Sequence, residues 1–159
     1  MTKNKLEKMF SKSLKAEDAF WGMKLHNNPL AHQNTPADYI LTYEYQKNYE
    51  MHLKTILVEC KQVTCDDYGR GRLTHKRLKQ MHDMLSFENK FNNHKAFWCI
   101  AFYNSRWDKS DIYLIPVRVM YGAIQAHSMV SFNRIDFDRI FADYRVFING
   151  GVIPLNLLI

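Results

Sequence analysis

The sequence KTILVECK at residues 54–61 decides the fold, because it predicts a buried β-strand that ends in charged residues. Its centre is apolar and β-branched, a composition that favours an extended strand. Successive side chains of a strand point to opposite faces, so Leu57, Glu59 and Lys61 share one face, while Val58 and Cys60 share the other. The simplest explanation of the two charged residues is a strand end that emerges into solvent with an ion pair between them.

A second predicted strand, at residues 37–43, offers another explanation because it carries Asp38 at its start. If the two strands pair as antiparallel neighbours, the start of one lies beside the end of the other, and Asp38, Glu59 and Lys61 converge at one edge of the sheet. Two neighbouring carboxylates repel each other and favour a hard divalent cation such as Mg²⁺, for which Mn²⁺ would substitute. We therefore expect Asp38, Glu59 and the carbonyl of Cys60 to hold the metal. Lys61 would orient or activate water, or stabilise charge in the transition state.

The rest of the chain predicts a small central sheet flanked by helices, which is an α/β fold. Leu6, Phe10 and Leu14 recur at four-residue steps and predict a first helix over residues 3–23. The other predicted elements are, in chain order, a loop at 27–36, a polar extended turn at 44–52, a mobile loop at 63–72, a helix capped by Thr74 that runs to residue 87, strands at 96–103 and 111–115, short helices at 116–121 and 135–141, and a turn at Gly150 and Gly151.

Composition limits the class of partner and the compartment. The chain has 159 residues, enough for one domain, and a formal net charge of +6, which attracts polyanions such as nucleic acid. No apolar run is long enough to span a bilayer, and the basic stretches lack the strongly apolar face of a membrane-surface helix, so no membrane partner is expected. Three cysteines without a C-x-x-C pair argue against disulfides and structural zinc. We expect a cytoplasmic protein, in the host cytoplasm if it is viral; the abundance of Lys and Asn favours a phage or virus.

The motif Pro36-Ala37-Asp38, followed after a strand-length gap by Glu59-Cys60-Lys61, resembles the signature of the PD-(D/E)xK nuclease superfamily. Within that superfamily the chain is most similar to Holliday junction resolvases, both the archaeal Hjc type and the bacterial RecU type. The segment 35–39 and the segment Tyr113-Leu114-Ile115-Pro116 resemble the RecU type. One departure is Ala37, which separates the Pro and the Asp of the motif. The family's Gly and Ser before the Asp are also not obvious, and Asn28, His32 and Thr35 are possible substitutes.

The resemblance implies a restriction-endonuclease-like core with a central mixed β-sheet flanked by helices. It covers roughly residues 6–121; we expect one nuclease domain over residues 1–159, with its core at about 3–121 and an addition of unknown role at 122–159. It also implies a catalytic acid on the first helix, for which Glu7 has better spacing than Glu17. Gln80 stands where such nucleases carry a Gln that positions water or phosphate, although it could equally be an ordinary exposed helix residue. The implied catalytic set is Glu7, Asp38, Glu59, Lys61 and Gln80.

The densest basic cluster of the chain lies between the two motif strands and the next strand. It consists of Arg70, Arg72, Lys76, Arg77 and Lys79. Nearby glycines favour close approach of the backbone to phosphate, so we expect these residues to bind the DNA backbone, with a solvated surface as the alternative.

The sequence therefore predicts a Mg²⁺-dependent endonuclease that resolves Holliday junctions by paired symmetric nicks. Symmetric cleavage of a four-way DNA junction implies a homodimer with two-fold symmetry. The alternatives are a repair or restriction nuclease on duplex DNA, a non-catalytic DNA-binding protein with the same fold, and a structural protein whose basic charge is incidental.

Overall fold

A computed structural model describes residues 5–25, 37–65, 72–74, 78–104, 110–127 and 131–159. The helices are α1 (Lys5–Ala16), α2 (Leu78–Lys90), α3 (Val117–His127) and α4 (Arg134–Ile140). The strands are β1 (Phe20–Lys24), β2 (Tyr39–Lys47), β3 (Glu50–Thr64), β4 (Arg72–Thr74), β5 (His94–Tyr103), β6 (Ser110–Pro116), β7 (Ser131–Asn133) and β8 (Arg145–Val146). Short 3₁₀ turns lie at Ala142–Tyr144 and Leu155–Leu158.

The main sheet has six strands in the order β1-β2-β3-β5-β6-β8. Its strands pair in antiparallel fashion except for β3 and β5, which are parallel. Parallel neighbours need a crossover connection, and here α2 lies in that connection. The predicted α/β class with a mixed sheet flanked by helices is therefore confirmed. A separate two-stranded sheet joins β4 to β7.

Each face of the main sheet is covered by its own hydrophobic cluster. On one face, Leu6 and Phe10 of α1 pack with Ile56, Val58 and Cys60 of β3. On the other face, residues of α2, α3 and α4 pack against the sheet; they include Met81, Met84, Val117, Met120, Ile124 and Phe137. The centre of β5 is buried on both faces, which explains its uninterrupted apolar sequence. Within the described residues, no helix is both long and apolar enough to cross a lipid bilayer.

The first predicted helix is too long. It ends at Ala16, and the chain returns as the edge strand β1, which pairs with β2. Burial in β1 alternates from Phe20 onward, which is the strand period rather than the helix period. Gly22 permits a close approach, because a Cβ there would lie 2.5 Å from Cδ2 of Leu41.

The polar segment at residues 44–52 is not an extended turn either. It forms the two arms of a β2–β3 hairpin joined at Asn48 and Tyr49, whose φ angles are +52° and +66°. Two consecutive left-handed residues match the tight hairpin turn whose twist suits antiparallel strands. The predicted strand at 54–61 is thus the middle of a longer strand.

Several other predicted elements agree with the structure within a few residues. The strands at 96–103 and 111–115, the helix at 135–141 and the turn at Gly150 and Gly151 are confirmed. The helix expected at 116–121 continues to His127, and the one expected from Thr74 is α2, whereas Thr74 itself is the last residue of β4. The loop expected at 63–72 was drawn too long, because β3 continues to Thr64 and β4 begins at Arg72; its residues 66–71 lie outside the described residues.

Residues beyond 121 contribute to both faces of the same core. Phe132, Phe137 and Phe141 pack in the cluster under α2 and α3, and Ile153 and Leu155 pack in the cluster under α1. The buried hydroxyl of Ser13 also accepts the backbone N–H of Ile153 at 2.7 Å. The C-terminal segment therefore stabilises the helix that carries Glu7.

Candidate active site

The start of β2 lies beside the charged segment of β3 at Glu59–Lys61, as the sequence predicted. The antiparallel ladder ends at the first residue of β2, Tyr39, whose partner is Val58. Asp38 precedes Tyr39 and Glu59 follows Val58, so both acidic residues come directly after this last pair. The backbone N–H of Asp38 donates to the carbonyl oxygen of Val58 at 3.1 Å. The hairpin thus brings together two acidic residues that are separated by 20 intervening residues of chain.

Asp38 is fixed by a hydrogen bond to the neighbouring strand. Its Oδ2 accepts the backbone N–H of Cys60 at 2.8 Å, so the carboxylate takes the place of a β2 partner at this position. The N–H and C=O of one strand residue point to the same side, and the Cys60 carbonyl is therefore directed toward the strand of Asp38. The Asp38 carboxylate and the Cys60 carbonyl therefore lie on the same side of β3.

Burial raises the pKa of Asp38, because an ionised carboxylate loses hydration there. The Cys60 N–H and the charge of Lys61 oppose this rise, and the negative charge of Glu7 adds to it. Geometry links the same residues: Asp38 accepts the N–H of Cys60, and Glu59 and Lys61, which pair with each other, flank Cys60 on β3. Glu7 is joined to them through Tyr39, the residue after Asp38, whose hydroxyl donates to the Glu7 carbonyl oxygen.

Glu59 is buried, with 2% of its surface exposed, so β3 does not simply emerge into solvent at this residue. Its Oε1 forms an ion pair with Nζ of Lys61, whose side chain is 15% exposed. A buried carboxylate is costly unless a partner compensates its charge, and the Lys61 ammonium provides this compensation. The two residues of this pair flank Cys60, whose backbone N–H donates to Asp38.

Trp98 forms the wall beneath this pair. It is the β5 partner of Glu59 in the parallel ladder and is almost fully buried, as expected of a core aromatic. Nζ of Lys61 lies 5.9 Å from the centroid of its ring, which allows a cation–π attraction. The indole Nε1–H has no acceptor among the described residues. The Lys61 ammonium therefore lies between the Glu59 carboxylate and an aromatic ring.

Glu7 reaches the site from α1, on the other side of Asp38. Its carboxylate forms an ion pair with Lys24 of β1, and its backbone carbonyl accepts the hydroxyl of Tyr39 at 2.9 Å. The backbone N–H of Leu6 donates to Oε1 of Gln62 at 3.2 Å, which ties the start of α1 to the end of β3. Glu17, the alternative helix acid, lies beyond the end of α1.

Three residues around the site were missed in the sequence. Lys24 directly follows the predicted helix at 3–23, and no sequence pattern indicates that it faces Glu7. Gln62 follows Lys61 and shares a strand face with Cys60, which is the only signal for its contact with α1. The hydroxyl of Tyr39 forms hydrogen bonds with the Glu7 carbonyl oxygen and the Ser11 hydroxyl. Its pKa is raised to about 12, mainly by burial.

The other predicted site residues either form no described hydrogen bond with this group or fall outside the described residues. Gln80 is half-buried on α2, and within the described part of the chain no hydrogen bond joins it to Asp38, Glu59 or Lys61. Arg70, Lys76 and Arg77 fall outside the described residues, as do Pro36 and the candidate substitutes Asn28, His32 and Thr35. Only the backbone of Arg72 is described, in β4, and Lys79 is exposed on α2.

The chemistry of the donors fits a hard cation. Oδ1 of Asp38 accepts no hydrogen bond within the described residues, and the Glu59 carboxylate and the Cys60 carbonyl supply further oxygen atoms. Across the described residues, no group of three or more His, Cys, Asp or Glu side chains is arranged to hold a metal ion. Mg²⁺ needs no such group, because it is commonly bound through one or two carboxylates together with water and substrate phosphate.

No protein-family model matches the chain, and no curated protein matches its sequence.

Proposed function

We propose that this chain is a Mg²⁺-dependent DNA endonuclease with a restriction-endonuclease-like core, which resolves Holliday junctions by paired symmetric nicks. The observation that carries the proposal is the pairing of the start of β2 with the part of β3 that leads into its charged residues, Glu59 and Lys61. It sets Asp38 beside a buried Glu59 that is bound to Lys61. A protein that only bound DNA would gain nothing from two carboxylates near phosphate, since they repel it.

The residues divide into those that hold a cation and those that stabilise charge. Asp38, Glu59 and the Cys60 carbonyl would hold Mg²⁺, which when bound polarises the scissile phosphate and the attacking water. The Lys61 ammonium orients that water or stabilises the negative charge that grows on the phosphate oxygens. Hydrolysis forms a bond from the water oxygen to phosphorus and breaks the bond from phosphorus to the leaving strand oxygen, which takes up a proton.

Glu7 would act on the same centre from its opposite side. Its charge already influences Asp38, and its ion pair with Lys24 keeps the carboxylate of α1 directed toward β1 and β2. Tyr39 and Gln62 hold the backbone of α1 at this position. These three contacts support a role for α1 in the proposed site.

The charge of the chain supports a polyanionic substrate, and the proposed junction substrate implies the symmetry of the active form. The net charge of +6 favours a polyanion. Two nicks placed symmetrically in a four-way junction require two active sites related by a two-fold axis, so the proposed active form is a homodimer.

The test incubates the protein with a labelled four-way junction and with a linear duplex of the same sequence, in Mg²⁺, in Mn²⁺ and in chelator. We expect symmetric, metal-dependent nicks in the junction. We also expect Asp38→Asn and Glu59→Gln to lower the rate by at least about 10²-fold while junction binding persists. Glu44→Gln is the matched control, because Glu44 is an exposed carboxylate on the same strand as Tyr39.

Three outcomes of this assay would contradict parts of the proposal. Equal cutting of linear duplex would replace the resolvase with a duplex nuclease that uses the same site. Near-normal cutting by Asp38→Asn or Glu59→Gln would show that the site is wrongly assigned. Junction binding without cutting in either metal would favour a non-catalytic binder.

A further inference from the structure

A cleft of about 450 Å³ runs along the outer side of α1 and opens beside the candidate active site. Four lysines line it, Lys8, Lys12 and Lys15 from α1 and Lys24 from β1. Glu7 is the one acidic residue among the lining residues, and its carboxylate is already paired with Lys24. The cleft is therefore strongly electropositive.

The positive charge follows from the helix period. Leu6, Phe10 and Ser13 are the buried side of α1. Lys8, Ser11, Lys12 and Lys15 recur at steps of three and four residues and form a stripe on another side of the helix. Like charges at this spacing destabilise a helix by roughly 0.2–0.5 kcal/mol per pair. An anion in the cleft would offset this repulsion.

Two of these lysines are free to take a ligand. Lys12 donates to the carbonyl oxygen of Gly150 at 2.8 Å and is therefore partly engaged with the C-terminal turn. Lys8 and Lys15 are exposed, and neither forms an ion pair within the described part of the chain. The hydroxyls of Ser11 and Tyr39, which bond each other at 2.7 Å, add polar groups to the same wall.

The cleft adjoins the carboxylate site through Tyr39, which lines the cleft and directly follows Asp38 in the chain. Glu7 and Lys24 line the same end of the cleft and pair with each other. From Lys8 to Lys15 the helix rises by about 10 Å, which is the axial rise of about three nucleotides of one DNA strand. The dimensions and the charge suit a run of phosphates that leads toward Asp38.

We propose that this cleft binds the phosphate backbone of the DNA strand that enters or leaves the cleavage site, with Lys8 and Lys15 contacting phosphates. The inference rests on the proposed function, since it takes DNA as the substrate. It adds a backbone-binding surface on α1 to the basic cluster at residues 70–79 that the sequence indicated.

The test compares two charge-matched double variants, Lys8→Gln/Lys15→Gln in the cleft and Lys47→Gln/Lys90→Gln as control. Lys47 and Lys90 are exposed at the ends of β2 and α2 and do not line the cleft. Fluorescence anisotropy measures binding of a labelled four-way junction in chelator over a series of salt concentrations. Each lost phosphate contact lowers the slope of log affinity against log salt by about 0.9.

We expect the cleft variant to lose about 1.8 from this slope and to bind roughly 10- to 60-fold more weakly at 0.1 M salt. The control should stay close to the unsubstituted protein, and Lys8→Arg/Lys15→Arg should retain the original slope. Equal slopes for the cleft and control variants would overturn the inference.

Junction cleavage in Mg²⁺ by the unsubstituted protein is measured separately, so the two failures can be distinguished. Cleavage together with equal slopes would reject the cleft alone. A slope difference without cleavage would reject the nuclease and keep the cleft as a DNA-binding surface.

Discussion

Asp38 has two separable roles, as an ionised carboxylate in the site and as a hydrogen-bond acceptor, and two substitutions distinguish them. Asp38→Asn keeps an oxygen that can accept the Cys60 N–H, whereas Asp38→Ala leaves that N–H without its acceptor. Loss of one partner of a buried hydrogen bond costs about 1–3 kcal/mol. In a chain of this length about 2 kcal/mol corresponds to roughly 4–8 °C in Tm. We expect the Tm of Asp38→Ala to be lower than the Tm of Asp38→Asn by this amount.

The pH dependence of stability shows whether the charge of Asp38 favours or opposes folding. Burial raises the pKa of Asp38 in the folded state, so its ionisation opposes folding. Its contribution to stability is fully present below the unfolded pKa and is lost as the pH rises through the folded value. Asp38→Asn has no such loss, and we expect it to be at least as stable as the unsubstituted protein at pH 7. That advantage should disappear as the pH falls.

Thermal and denaturant unfolding of the three proteins from pH 3 to pH 8, in chelator, measures both effects, and junction cleavage is measured in parallel. We expect both variants to be inactive although only Asp38→Ala is destabilised. Equal stability of Asp38→Asn and Asp38→Ala would refute the role assigned to the Cys60 hydrogen bond. An advantage of Asp38→Asn that persisted at pH 3 would refute the charge argument.

Two further substitutions test how α1 is held. Tyr39→Phe removes the hydroxyl that bonds Glu7 and Ser11, and we expect it to destabilise the fold by about 1 kcal/mol. We also expect Tyr39→Phe to lower the cleavage rate more than Ser11→Ala does. Equal losses of rate in the two variants would contradict this role of Tyr39. Ser13→Ala leaves the buried N–H of Ile153 without its side-chain acceptor, and we expect a loss of about 1–3 kcal/mol and faster proteolysis of the C-terminal segment. Unchanged proteolysis would show that this bond does not anchor the segment.

Part of the fold could be predicted because its signals are local. The strand at 54–61 and the apolar strand at 96–103 carry their own evidence in β-branched and aromatic residues, and both are confirmed. Phe20–Lys24 could not be recognised in the same way. Its strand state depends on pairing with β2, and a short segment after a helix looks like the helix's continuation until the partner strand is known.

The sequence by itself determined the order of the charged residues and the strand parity that sets Glu59 and Lys61 on one face. It also predicted that Asp38 would lie beside them on the condition that the two strands pair as antiparallel neighbours, and the structure supplies that pairing. Only the tertiary structure decided that Glu59 is buried beside Trp98, that Glu7 faces Lys24, and that Gln62 fastens α1 to β3. Those contacts depend on how elements pack against one another in three dimensions. Packing brings together residues that are far apart in the sequence and that no helix or strand periodicity connects.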